Sequence, residues 1–179
     1  MTPPRRQIMK SAFYTVALAT VALAALLTRT VPCVAGIADS PLPVLTAGEK
    51  TLHLYSVPGV IAGAGGLETF FSCTSTDTAP MQVGVELFFS GGGAPANDAV
   101  ATSLTVGPGA TVTFGTSIAV GISISSNLGG GFFSKGSARI LATSKKLACT
   151  VFVADNGNAP PTSMVQLTII KKTSQKAAN

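Results

Sequence analysis

An all-β fold, an antiparallel β-sandwich of about seven to eight strands behind an N-terminal signal helix, is what this sequence predicts, on three observations. Beyond residue 38 no segment sustains a helical period; short apolar–polar alternations follow one another instead. Gly, Pro and Ser punctuate those runs at the spacing of a sandwich. Charged residues are 11% of the chain, against about a quarter in an average soluble domain, and Thr, Ser, Gly and Ala cover the surface in their place.

Residues 1–38 read as the export signal. Arg5, Arg6 and Lys10 give a positive start without an acid, an uncharged apolar run spans residues 11–28, and Arg29 closes it. Small residues then offer cleavage after Ala35 or after Ala38, completing the three-part secretory pattern. Residues 5–10, RRQIMK, also fit the twin-arginine export pattern. The alternative is a retained membrane anchor, since eighteen uncharged residues reach the lower limit of a spanning helix. The protein is therefore expected in the periplasm or outside the cell, touching the membrane only through an uncleaved signal.

Removing the signal changes the charge. The net +5 includes Arg5, Arg6, Lys10 and Arg29; the rest of the chain keeps eight bases against seven acids. Lys171, Lys172 and Lys176 lie at its polar end, so the body is slightly acidic. A nucleic-acid partner requires a clustered basic face; none is legible in the sequence, so no nucleic-acid partner is expected.

The strands follow in order across one domain, residues 39–171, ahead of a polar tail at 172–179. Leu52, Leu54 and Ser56 alternate with Thr51, His53 and Tyr55 in the first. Thr69, Phe71 and Cys73 share one face of the second. Val83, Val85, Leu87 and Phe89 form the clearest run, and residues 99–106 read as the next strand. After a Gly-Pro-Gly turn at 107–109, Val112, Phe114 and Ile118 line one side of the fifth. Residues 137–144 and 147–155 flank Lys145 and Lys146 as a tight hairpin, and residues 164–171 make the last strand.

Three cysteines are present, and Cys33 leaves with the signal. Cys73 and Cys149, an even pair in an exported domain, read as a disulfide, with two buried thiols as the alternative. Closing a loop of that length is worth about 4–5 kcal/mol in the chain-entropy model. Both cysteines fall on apolar strand faces, and the bond either joins the two sheets or joins neighbouring strands.

Residues 71–88, FSCTSTDTAPMQVGVELF, carry a polar turn, a Pro and a V-x-V strand. This stretch resembles the second-to-third strand hairpin of bacterial exported immunoglobulin-like domains. Residues 108–114, PGATVTF, are similar to a later strand entry of the same family. The resemblance implies an immunoglobulin-like sandwich over most of residues 50–171. The chain departs from antibody-type domains in lacking Trp, and Leu147 stands where a tyrosine would precede the second cysteine.

The chemistry-bearing residues mostly exclude. His53 is the only histidine, on an alternating strand between two leucines, where an edge or solvent-facing role is expected. A Ser-His-Asp triad would have to use it, and no G-x-S-x-G elbow accompanies any serine. Once the cysteines pair, the chain lacks ligands for zinc. Glu68, Asp77, Glu86, Asp98 and Asp155 supply carboxyls for glycan hydrolysis, but no spacing selects two of them. Neither residues 63–66 nor 131–137 has the order of a nucleotide-binding loop. Residues 155–158, DNGN, read as a turn rather than a calcium loop. No cofactor, metal or catalytic residue is assigned.

Two Gly-rich stretches remain as candidate binding loops: residues 57–67 with Val60 and Ile61, and residues 121–136 with Leu128, Phe132 and Phe133. Long loops of this kind tend to be functional; the competing expectation is that the phenylalanines plug one end of the sandwich. The sequence thus points to a non-enzymatic binding, adhesion or envelope-structural module, with a protein or glycan of the cell envelope as partner. A carbohydrate-binding module or a carboxylate-dependent glycan-processing enzyme is the alternative.

Overall fold

The computed structural model describes residues 36–172. Arg5, Arg6, Lys10 and Arg29, expected in the signal, and the tail beyond Lys172 lie outside the described residues. Ten strands, one short α-helix and a 3-10 turn at Ala64–Gly66 occur among the described residues: β1 (Leu52–Ala62), β2 (Leu67–Ser75), β3 (Met81–Phe89), α1 (Ala99–Thr102), β4 (Leu104–Val106), β5 (Thr111–Gly115), β6 (Ser126–Asn127), β7 (Phe133–Ala142), β8 (Leu147–Asp155), β9 (Met164–Gln166) and β10 (Ile170–Lys171). All pairings are antiparallel except β5 with β6. Among the described residues no helix is long and apolar enough to cross a membrane.

The strands form two layers. One runs β4-β3-β7-β1-β10, the other β9-β8-β2-β5-β6; the single pair Ala62–Glu68 of β1 and β2 joins them at a corner. The alternating residues read from the sequence meet between the layers. Val83, Val85 and Leu87 of β3 and Ala138, Ile140 and Ala142 of β7 pack with Phe71 and Cys73 of β2, Phe114 of β5 and Val151 of β8. Period-two alternation on both layers is what gives each sheet one buried apolar face.

Five sequence expectations are corrected. Residues 99–106 are not one strand: the Asp98 carboxyl caps Val100 and Ala101 N–H groups and starts α1, leaving only Leu104–Val106 extended. Residues 137–155 are not a hairpin, because β7 pairs with β1 and β3 while β8 pairs with β2 and β9. Likewise, β2 and β3 belong to different layers, so residues 71–88 cross the sandwich rather than turn within a sheet. The last strand divides into β9 on one layer and β10 on the other. Ile118, expected inward, lies beyond the end of β5 and is 70% exposed.

Cys73 and Cys149 form a disulfide. They stand directly opposite in the β2–β8 ladder, so the bond joins neighbouring strands of one sheet.

Candidate functional site

The corner between β1 and β2 is also where the two Gly-rich stretches converge. Ala62 and Gly63 from the first face Asn127, Gly129, Gly131 and Phe132 from the second across a cleft of about 320 Å³. Glu68 and Thr116 line it from beneath.

Local backbone chemistry builds this cleft. Gly129, Gly130 and Gly131 all take positive φ, a left-handed path that side chains strongly disfavour. Gly63 is left-handed too, and a Cβ there would stand 2.9 Å from the Phe132 ring. The ring therefore lies against bare backbone, and Phe132 remains 71% exposed. Phe133, the next residue, enters β7 pointing the opposite way; it is 6% exposed and meets the Phe89 ring edge-on at 5.5 Å.

Glu68 is the chemically distinctive group. It is buried as the second residue of β2, and its carboxyl accepts from the Thr116 hydroxyl at 2.6 Å and from the Asn156 amide at 3.4 Å. The two ion pairs among the described residues, Arg139–Glu86 and Lys146–Asp77, do not include it. A buried carboxyl held only by neutral donors keeps acceptor capacity for further hydrogen bonds. Thr116 is itself fixed by the Thr69 N–H at 2.9 Å, so the pair is rigidly seated on the sheet.

The sequence-chosen residues separate in space. Val60 and Leu128 are buried in the core, and Phe133 joins them. Val60 and Ile61 are not loop residues: β1 continues through Pro58 and Gly59 to Ala62, absorbing them in register shifts against β7. Ile61 is half-buried, its backbone bonded at both ends to the Thr69 hydroxyl. Only Phe132 reaches the cleft, so the expected plug holds for one phenylalanine and fails for the other.

His53 lies elsewhere, half-buried on β1, with Nε2 3.0 Å from the Ser56 hydroxyl and Nδ1 3.4 Å from the Lys172 ammonium. Burial first, then the charges of Lys172 and Arg139, hold its pKa down at about 4. It does not line the Glu68 cleft. No group of three or more His, Cys, Asp or Glu able to hold a metal occurs among the described residues. Asp155 is committed to its own turn, accepting from the Ser163 N–H at 2.7 Å and from Asn158 at 2.6 Å; these bonds lower its pKa.

Thr116, Asn127 and Asn156 carry no mark in the sequence that separates them from the many other Thr and Asn residues. Glu68 carries a weak one, an acid at the head of the apolar run Leu67–Phe71 beside a Gly-rich turn. Comparison with family models, curated proteins and solved structures finds no match to this chain.

Proposed function

We propose that this chain is an exported, non-enzymatic β-sandwich module of immunoglobulin-like type that binds a hydroxyl-rich glycan segment of the cell envelope at the Glu68–Phe132 cleft. The observation that carries the reading is the juxtaposition of an exposed aromatic ring with a buried carboxyl that has no cation partner among the described residues. Sugars present an apolar C–H face and a rim of hydroxyls. Phe132 offers the platform for the first, and Glu68 with the amide of Asn127 offers polar contacts for the second. Binding rather than hydrolysis is supported because Glu68 is the one carboxyl among the described residues that lines the cleft, whereas glycan hydrolysis employs two.

Export is supported by the disulfide, which suits an oxidising compartment. Arg139 donates to the carbonyls of Ile37, Ser40 and Pro41. Cleavage after Ala35 keeps all three contacts, and cleavage after Ala38 removes the first.

The test is co-sedimentation of the purified chain, recovered from the cell envelope, with insoluble envelope polysaccharide. Intact mass on the same sample reads the cleavage position. Phe132→Ala is expected to weaken binding about tenfold, equivalent to ~1.4 kcal/mol, and Glu68→Gln by a similar factor. Equal retention of both variants, or no retention of the parent chain, overturns the glycan reading.

A further inference from the structure

A second and larger cleft, of about 560 Å³, opens between the chain entering β1, the β7–β8 connection and the strand β10. Lys50, Lys145, Lys171 and Lys172 line it, from three regions of sequence far apart. Among the described residues no acidic one lines it. The chain from residue 39 onward has eight bases. Two of them, Arg139 and Lys146, are paired with acids. Lys176 lies outside the described residues, and four of the other five converge here, so a nearly neutral protein gathers positive charge at one place.

The floor of this cleft is apolar. Leu52 and Leu54 are half-buried in it, and Leu42 is 40% exposed beside them. Tyr55 adds its ring, while its hydroxyl is committed to the Leu147 carbonyl. His53 stands among the lysines as a hydrogen-bonded imidazole. Its low pKa, caused by burial and by the neighbouring Lys172 and Arg139, registers the positive field at this point.

We infer that this cleft binds the phosphate group of an organic amphiphile, with the ammonium groups of Lys50, Lys145, Lys171 and Lys172 around the phosphate and the apolar body on Leu52, Leu54 and Tyr55. Like charges converging on a concave, partly apolar surface raise the local potential and favour a multiply charged anion. The volume is that of a small-ligand site. A lipid headgroup and a free alkyl phosphate share this chemistry. The site is separate from the Glu68 cleft, and its test does not depend on the glycan reading.

His53, as the only histidine, gives a single pair of imidazole C–H signals in proton NMR. Titration with hexyl phosphate is expected to move those signals and to raise the His53 pKa from about 4 by roughly one unit, as an anion beside a base does. Hexyl phosphate should bind at least tenfold more tightly than inorganic phosphate. Binding should weaken by about tenfold in Lys171→Gln/Lys172→Gln and again in Lys50→Gln/Lys145→Gln, with steep loss on adding salt. The second pair lies outside every strand, so it preserves the test if altering β10 disturbs the fold. Vesicles of phosphatidic acid, against phosphatidylcholine vesicles, distinguish a bilayer lipid from a free phosphate as the source. Unmoved His53 signals at saturating hexyl phosphate, equal affinity for inorganic phosphate, or unchanged binding in both lysine pairs overturns the inference.

Discussion

The two outer faces of the sandwich are covered in opposite ways. Over the β3–β7 layer, the segment before β1 is fastened by a buried ion pair. Arg139 and Glu86 stand opposite each other in the ladder, joined through Nε, with Arg139 only 1% exposed. The guanidinium also donates to the Ser40 carbonyl at 2.9 Å and the Pro41 carbonyl at 2.8 Å, and lies 5.2 Å over the Phe88 ring. Over the β2–β8 layer, the loop after β5 is fastened by apolar contact. Phe70 and Phe152 stack at 5.4 Å, and Ala119, Ile122 and Ile124 close over them.

The difference follows from where irregular backbone finds its partners. The loop after β5 borrows from strands and turns: Thr116 N–H bonds to Thr69, Val120 N–H to Asn156 and Ser125 N–H to Thr113. These backbone groups find partners within the fold, and the rest of the fastening is apolar packing. The segment around residues 37–41 has carbonyls facing a sheet surface that offers no free N–H. Buried carbonyls need donors, and a planar guanidinium supplies several at once. A cation there needs an anion beside it, and Glu86 fills that role.

The largest expected effect tests the polar fastening. Arg139→Met leaves Glu86 buried without a partner and the Ser40 and Pro41 carbonyls without donors. Unfolding by urea should show a loss of about 3–5 kcal/mol. The double variant Arg139→Met/Glu86→Met removes the stranded charge and should recover part of it, leaving a deficit of about 1–3 kcal/mol for the carbonyls. A single-variant loss below ~1 kcal/mol would mean that the ion pair does not hold this face.

The apolar fastening should yield less. Phe152 is only half-buried, so Phe152→Ala is expected to cost about 2 kcal/mol, below the range for a fully buried phenylalanine. Its loss should not vary with salt, because no charge is involved. A loss as large as that of Arg139→Met would erase the contrast between the two faces.

How much of this was legible depends on what alternation encodes. It marks which residues face inward, and Val83, Val85, Leu87, Phe71 and Cys149 do so. It is silent on which sheet a strand joins, because the inward face reads the same in either layer. That is why residues 137–155 resemble a hairpin although their strands cross the sandwich. Residues 99–106 alternate, yet Asp98 caps four of them into a helical turn, where local capping prevails over a short period. Of the Glu68 cleft, Phe132 was legible and its neighbours Thr116 and Asn127 were not. The lysine cleft was invisible, since its four cations come from three distant segments.

The smallest expected effect lies inside the polar fastening itself. Ser40 is buried, and its carbonyl serves Arg139, but its hydroxyl has no hydrogen-bond partner among the described residues. An unsatisfied buried hydroxyl loses its hydration on folding without compensation. Ser40→Ala keeps the backbone carbonyl and deletes only that hydroxyl, so it should raise stability by up to about 1 kcal/mol. The gain should vanish in the Arg139→Met background, where the segment is no longer pressed against the sheet and the hydroxyl can meet water. A gain that persists there would mean the segment stays seated without its cation, and the two faces would then differ in chemistry but not in dependence on it.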